Sequence, residues 1–486
     1  MKMKYRLFGI SGVIIILLLS VCALVQATEG VTIDPVYLEK YQTLYDNSDI
    51  QKGLAYIEAD HDNRVAETIE FTKIPAPPFN EDVRAAAYAE RFKALGLEDV
   101  SVDLEGNAIG YYRGTVGKPK LLFTAHMDTV FEPGYDTTVT IDEDGWIHAP
   151  GIGDDSAGLS MVLSLIRALN EAKIKPVGDI MFAGTVGEEG RGDLRGVKYL
   201  FSSNDDIDAF VSVDCDPAPE GKLDYSCTTN ALGSYRFEFS YKGPGGHSNG
   251  AYGTVSALHA MARGVAKMAD MQVAPGTTYT ASVVEGGTSV NAIAAECMLQ
   301  TDTRAQDPAE LIKSTDLLVK LLKQGVEEEN ARWAYEKGGE VTLEVNLVGV
   351  RPSGIQSMDT PTVQSALAMA MAMPEFTPIY REDSGSTDSN LPISLGVPAL
   401  TIGKGGSGKS GHALPEQWNP EGAWQYVQAG FLFMVGLVGM DGVTEPALPA
   451  ESPKYEYKFE GLPFIPSMYI VPGKHYKLSW VDLVGN

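Results

Sequence analysis

Cysteine is scarce in this 486-residue chain, with four residues at Cys22, Cys215, Cys227 and Cys297. The three beyond the N-terminal apolar run cannot all pair within one chain, which excludes a disulfide framework and leaves open only a Cys215–Cys227 bond in an oxidising compartment. Positive charge is also short: 38 Lys and Arg face 64 Asp and Glu, for a net charge of −26. A chain this acidic repels nucleic acid and anionic lipid surfaces, so no polyanionic partner is expected. There is no internal repeat. The long apolar run, residues 10–25, follows Lys2, Lys4 and Arg6 and precedes the small-residue pattern Val25-Gln26-Ala27. That arrangement reads as a secretory signal over 1–27, with an uncleaved membrane anchor as the alternative and a lipoprotein site at Cys22 a poorer match. Its removal takes away three cations and no anion, leaving −29.

One motif invites a misreading. Gly403-Lys404-Gly405-Gly406-Ser407-Gly408-Lys409-Ser410 has the P-loop spelling, and the apolar run 397–402 before it could be a strand. A phosphate cradle needs a helix to open immediately afterwards. Here Pro415 stands where the first turns of that helix would propagate, so nucleotide binding is not expected.

A chain of this length exceeds one hydrophobic core, and its texture divides accordingly. Residues 35–73 and 83–95 carry helical apolar spacing. Short β-branched runs at 100–102, 121–125, 180–184 and 209–213 then alternate with helical stretches such as 156–172, the signature of an α/β sheet with mainly parallel strands. From 231 to 348 the pattern becomes βαββαβ, an α+β, ferredoxin-like module inserted as a lid or dimerisation domain between catalytic parts at 28–230 and 349–443. Residues 444–486 read as a Pro-containing linker with an aromatic-rich tail.

Acids and histidines gather where the predicted strands end, the edge at which open α/β sheets bind ligands. His126 and Asp128 follow the strand 121–125, Asp154-Asp155 opens a helix, Glu188-Glu189 follows 180–184, Asp214 and Asp216 end 209–213, and His412 closes the glycine-rich loop. Singly these are an N-cap, a solvated turn or a satisfied histidine. Together they would repel one another unless cations neutralised them, and two imidazoles with three carboxylates suit zinc or a neighbouring divalent ion.

In this order the residues resemble the di-zinc exopeptidase family that includes peptidase T, carboxypeptidase G, succinyl-diaminopimelate desuccinylase and aminoacylase. The stretches Ala76-Pro77-Pro78-Phe79-Asn80-Glu81, Gly246-His247-Ser248, Gly286-Gly287-Thr288-Ser289-Val290-Asn291, Asp302-Thr303-Arg304 and Gly385-Ser386-Thr387-Asp388-Ser389-Asn390 extend the resemblance over about residues 50–440, nearest to the peptidase T branch. It implies one ion held by His126 and Asp214, a second by Glu189 and His412, and Asp154 bridging them through a cis Asp154-Asp155 peptide. Asp128 would orient His126, and Glu188 would be the general base. In the lid, His247 would reach the site of a dimer partner, while Asn291 and Arg304 would hold the polar ends of a short peptide or N-acyl amino acid. The chain departs from the family in having Ser156 where Lys often follows the paired Asp, and the choice of Asp214 over Asp216 depends on where one strand ends. A non-catalytic binding protein on the same fold is the rival from another class.

Overall fold

The structure is a computed structural model describing residues 32–215, 224–225, 228–333, 337, 339–378, 384–450, 454–459 and 461. The signal at 1–27, Asp216, Cys227 and most of the tail lie outside them. The helical tract expected over 35–73 is three helices, α1 (Pro35–Tyr45), α2 (Ser48–Ala59) and α3 (His61–Thr72). Asn47 breaks the first junction by capping α2 through the backbone N–H groups of Asp49 and Ile50. α4 (Asp82–Ala94) follows, and then β1 (Glu98–Val102), β2 (Ala108–Tyr112), β3 (Lys120–His126), α5 (Gly158–Ala172), β4 (Asp179–Thr185), α6 (Arg195–Ser203) and β5 (Ala209–Cys215).

After β5 the chain enters the α+β module: β6 (Gly233–Lys242), α7 (Ala257–Ala269), β7 (Thr278–Gly286), β8 (Glu296–Ala305), α8 (Pro308–Trp333) and β9 (Thr342–Arg351). This is the βαββαβ order read from the sequence. It closes one antiparallel sheet, β7-β8-β6-β9, with α7 and α8 on one face. The helices meet almost backbone to backbone, because a Cβ on Gly325 would stand 2.4 Å from the Gly264 nitrogen. The chain then returns through α9 (Pro361–Ala372), β10 (Ala399–Gly403) and α10 (Ala423–Val438).

The main sheet has the order β1-β2-β4-β3-β5-β10. Four of its strands, β4-β3-β5-β10, pair in parallel, while β2 and β1 complete the other edge antiparallel. Alternation sorts the strand residues onto two faces. Leu121, Phe123, Ile180, Phe182, Val211 and Ile402 enter a large core with the largely buried α5 and α10. Leu122, Met181, Phe210 and Ala399 face a thinner core covered mainly by α6, residues 390–394 and the C-terminal stretch 454–459.

That stretch gives part of the tail a structural role. The Tyr455 ring lies 5.2 Å from that of Phe201, its hydroxyl donates to the Asn204 carbonyl at 2.5 Å, and Phe459 N donates to Ser202 Oγ at 3.1 Å. We expect Tyr455→Ala to cost about 3 kcal/mol through the cavity it leaves, and Tyr455→Phe about 1 kcal/mol for the lost hydrogen bond. Urea unfolding of the two variants checks the ordering.

Candidate metal centre

Parallel strands point their C-terminal ends the same way, so the side chains that leave β3, β4, β5 and β10 converge at one edge. β3 ends on His126, β4 runs into Glu188 and Glu189, β5 carries Asp214 next to its end, and the segment after β10 brings His412. Asp154 arrives from the turn 152–157 before α5, and its peptide to Asp155 is cis.

The distances resolve into two nests that share Asp154. On one side His126 Nε2 lies 2.9 Å from Asp154 Oδ1 and 3.5 Å from Asp214 Oδ1. On the other, His412 Nε2 lies 2.9 Å from both Asp154 Oδ2 and Glu189 Oε1. Among the described residues, donor atoms of His126, Asp154 and Glu189 fall within 4.8 Å of one another, as do those of His126, Glu188 and Asp214. Imidazole nitrogens and carboxylate oxygens at this spacing fit divalent ions of the zinc type.

Asp128 is buried beneath them. Its carboxylate accepts from the backbone N–H groups of Glu188 at 3.0 Å and Glu189 at 2.8 Å, and stands 3.6 Å from His126 Nδ1. The shorter contact to that nitrogen is the Asp128 backbone carbonyl at 3.0 Å. Asp128 therefore fixes the imidazole through its main chain and the acidic loop through its side chain.

Burial works to raise the Asp154 carboxyl, but the hydrogen bonds from His126 and His412 outweigh it and hold it well below the usual aspartate value. The hydrogen bonds that His412 donates to Asp154 and Glu189 push its own pKa up to about 11. Burial first, and then Glu189 and Asp214, raise Glu188 well above the ordinary glutamate value against the pull of Arg351.

Of the residues expected in the lid, Arg304 lines the same cleft as Glu188, Glu189, Asp214 and His412. His247 and Asn291 do not line that cleft. They sit together on an exposed patch where Gly246–His247 pairs with Ala292–Ile293 and Ser248 N donates to the Asn291 carbonyl. The P-loop spelling has no helix behind it: residues 407–409 form a short strand and the next helix begins at Ala423. Instead Gly405 and Gly406 take φ of 76° and 82°, and the latter passes so close that a Cβ would meet the Asn419 carbonyl at 2.4 Å.

Two residues of the site, Arg351 and Glu416, went unread in the sequence, and a third, Asp388, stood in the family-like stretch 385–390 without a role. Arg351 donates from Nη1 to Glu188 Oε1 at 3.0 Å and to the Ser386 carbonyl at 2.9 Å, and from Nη2 to the Glu188 carbonyl. Glu416 accepts from the backbone N–H groups of Gly151, Gly153 and Asp154 and so shapes the turn that presents Asp154. Asp388 is buried and accepts from Thr185 Oγ1 at 2.6 Å. A carboxylate four residues after His412 was the one available signal. Arg351 carried none.

Comparison with known proteins supplies the context. The profile of peptidase family M20/M25/M40 matches residues 122–431. Aminopeptidase PepT of Bacillus cereus is similar in structure with a TM-score of 0.61 and 23% identity, covering 77% of this chain and 98% of its own. A tripeptidase of Staphylococcus aureus gives 0.62 and 23%, covering 78% and 98%. A curated relative, N-formyl-4-amino-5-aminomethyl-2-methylpyrimidine deformylase of Bacillus subtilis, is 23% identical over 404 residues, which are 76% of this chain and 93% of that protein.

Two outcomes follow from the geometry. Asp154→Ala should abolish binding at both nests, while Asp128→Asn should weaken it about 10–100-fold, the usual effect of removing an outer partner; competition titration against a chromogenic chelator checks both. His412 is protonated in the metal-free chain, and its proton must leave when an ion binds. Affinity should therefore fall as pH is lowered, by about tenfold per unit for each proton expelled, in titrations between pH 8 and pH 6.

Proposed function

This chain belongs to peptidase family M20/M25/M40, a metallopeptidase-type hydrolase family, and on that premise we propose that it is a zinc-dependent exopeptidase of short peptides. The observation that carries the reading is the pair of nests sharing Asp154 beside a buried Glu188. His126, Asp154 and Asp214 would hold one ion, and Asp154, Glu189 and His412 the other. Two ions so placed supply Lewis acidity that polarises the scissile carbonyl and lowers the pKa of water.

The chain's own residues do the rest. Glu188 takes a proton from the water that attacks the carbonyl carbon and delivers it to the amine nitrogen as the C–N bond breaks. Its pKa, raised by burial, favours a carboxyl that can hold the proton it takes before returning it. Arg351 holds Oε1, leaving Oε2 without a hydrogen-bond partner among the described residues. Asp128 fixes the position of both Glu188 and His126. Arg304 stands in the cleft wall, where it can take the carboxylate of a peptide or of an N-acyl amino acid. Amide hydrolysis in a deacylation is the second reading, supported by similarity along 93% of the Bacillus deformylase.

We also propose a homodimer formed through the α+β module. β7 is an edge strand exposed along nearly its whole length, Val284 and Val290 project into solvent, and a bare apolar edge of this kind calls for a cover. His247 lies outside its own cleft, so its place in the reaction would be in the site of the second copy. The basic, then apolar N-terminus supports export, outside the described residues. No described helix is long and apolar enough to cross a membrane.

Glu188→Ala should lower kcat/KM on di- and tripeptides about 10²–10⁴-fold with zinc content unchanged, and a chelator should abolish wild-type turnover until zinc is returned. Retained activity in that variant would remove Glu188 from the mechanism. Mixing His247→Ala and Glu188→Ala chains should restore part of the activity that each lacks. Failure to do so, in a mixture shown to be dimeric by light scattering, would confine the site to one chain.

A further inference from the structure

The sheet of the α+β module presents three guanidiniums on one face. Across β6, Ser234 is paired with Arg304 on β8 and Arg351 on β9, and Arg236 is paired with Asp302 and Gly349. Opposed residues share a face, as do residues two apart on one strand. Arg236, Asp302, Arg304 and Arg351 therefore stand together, with Phe239 and Tyr241 on the other face against the helices. All three arginines line the cavity of about 460 Å³ that also holds Glu188, Glu189, Asp214 and His412.

Their commitments differ. Arg351 is occupied by Glu188 and Ser386. Arg304 forks from Nε and Nη2 onto Asp302 Oδ2 at 3.1 and 2.9 Å, which leaves Nη1. Arg236 lies across Gly349, where a Cβ would sit 3.1 Å from its Cδ. Its Nη1 donates to the Gly190 carbonyl and its Nε stands 3.6 Å from Asp302 Oδ2, while Nη2 has no partner among the described residues. One carboxylate, Asp302, thus serves two guanidiniums and also accepts from Ser234 Oγ at 2.8 Å. Burial first, and then Arg351, draw Arg236 down to about 10, so it stays charged at neutral pH. A positive charge without its own counter-ion faces the cleft of a chain whose net charge is −26.

We propose that Arg236 and Arg304 together receive two carboxylates of one substrate residue, so that the enzyme prefers peptides whose C-terminal residue is glutamate or aspartate. Arg304 takes the α-carboxylate and Arg236 the side-chain carboxylate. The two are diagonal neighbours on adjacent strands, about 7–8 Å apart at the backbone, and their long side chains close that gap onto a small dicarboxylate. The inference rests on the hydrolytic reading, and its test separates the two.

The zinc-loaded chain is assayed on Ala-Ala-Glu and Ala-Ala-Gln, which match in shape and differ in charge. The expected kcat/KM ratio is about tenfold or more in favour of the acid. In Arg236→Met the ratio falls to about one, and in Arg236→Lys it is intermediate. Calorimetric titration with free L-glutamate and L-glutamine reads the same preference without turnover. A ratio near one in the unmodified chain, or one unchanged in folded Arg236→Met, overturns the proposal and leaves the peptidase reading standing. If neither peptide is cleaved, the peptidase reading fails and the titrations decide: preference for glutamate that Arg236→Met abolishes supports the subsite, and equal binding of both amino acids overturns it.

Discussion

Carboxylates within contact distance of one another in a buried site repel strongly, because little solvent screens them. The ends of β3, β4 and β5 bring Asp128, Asp154, Glu188, Glu189 and Asp214 into one small volume, and much of the surrounding structure answers that repulsion. Asp128 and Glu416 are neutralised by backbone N–H groups. Glu188 is matched by Arg351, and Lys404 stands 3.7 Å from Asp155. After these pairings Asp154 and Glu189 keep an imidazole as their chief partner, and Asp214 has one only at 3.5 Å. Those three oxygen donors and the two imidazoles are where an external cation has most to offer.

The acidic loop is also held mechanically. Gly196 N donates to the Val186 carbonyl and Leu194 N to that of Gly187, so α6 starts directly beneath Glu188 and Glu189. Arg195 pairs with Glu81 and Glu105 on the same side. Asp193 and Lys198 then grip Val350 by its N–H and carbonyl, one residue before Arg351 reaches Glu188. The last strand of the α+β module is thus bonded to Glu188 and to the helix that supports it. A movement of that module would be transmitted to Glu188 through three hydrogen-bonded contacts. The 454–459 stretch packs on the far side of the same helix, which couples part of the tail to the centre without bringing it near.

The clustering of the candidate metal-centre side chains was legible because each adjoins a strong local signal. His126, Glu188, Glu189 and Asp214 follow or end apolar runs that become parallel strands, and Asp154 and His412 sit in glycine-rich turns. Order along the chain sufficed, since parallel strands deliver their ends to one edge. The contacts of Arg351, Asp388 and Glu416 were illegible for the opposite reason. Their partners Glu188, Thr185 and Gly151 lie 163, 203 and 265 residues away, and no local period marks such a pairing. The long helical tract before the sheet was read less finely, because apolar spacing persists through Asn47, whose side-chain cap divides the first junction, and through Asp60, where the chain turns without a side-chain cap.

The same limit explains why the charge of the cleft was hidden behind the composition. An excess of acids describes the molecule as a whole, yet register across β6, β8 and β9 collects arginines scattered between 236 and 351 onto one face. The carboxylates of Asp154, Glu188, Glu189 and Asp214 line the same cleft and oppose their charge. Two divalent ions would bring as much positive charge as those four carboxylates carry negative, and what remains would be set by Arg236, Arg304, Arg351 and Lys404 against Asp302 and Asp155. The loaded cleft is then cationic inside an anionic molecule, a field that concentrates small anions at the mouth while the surface repels large ones.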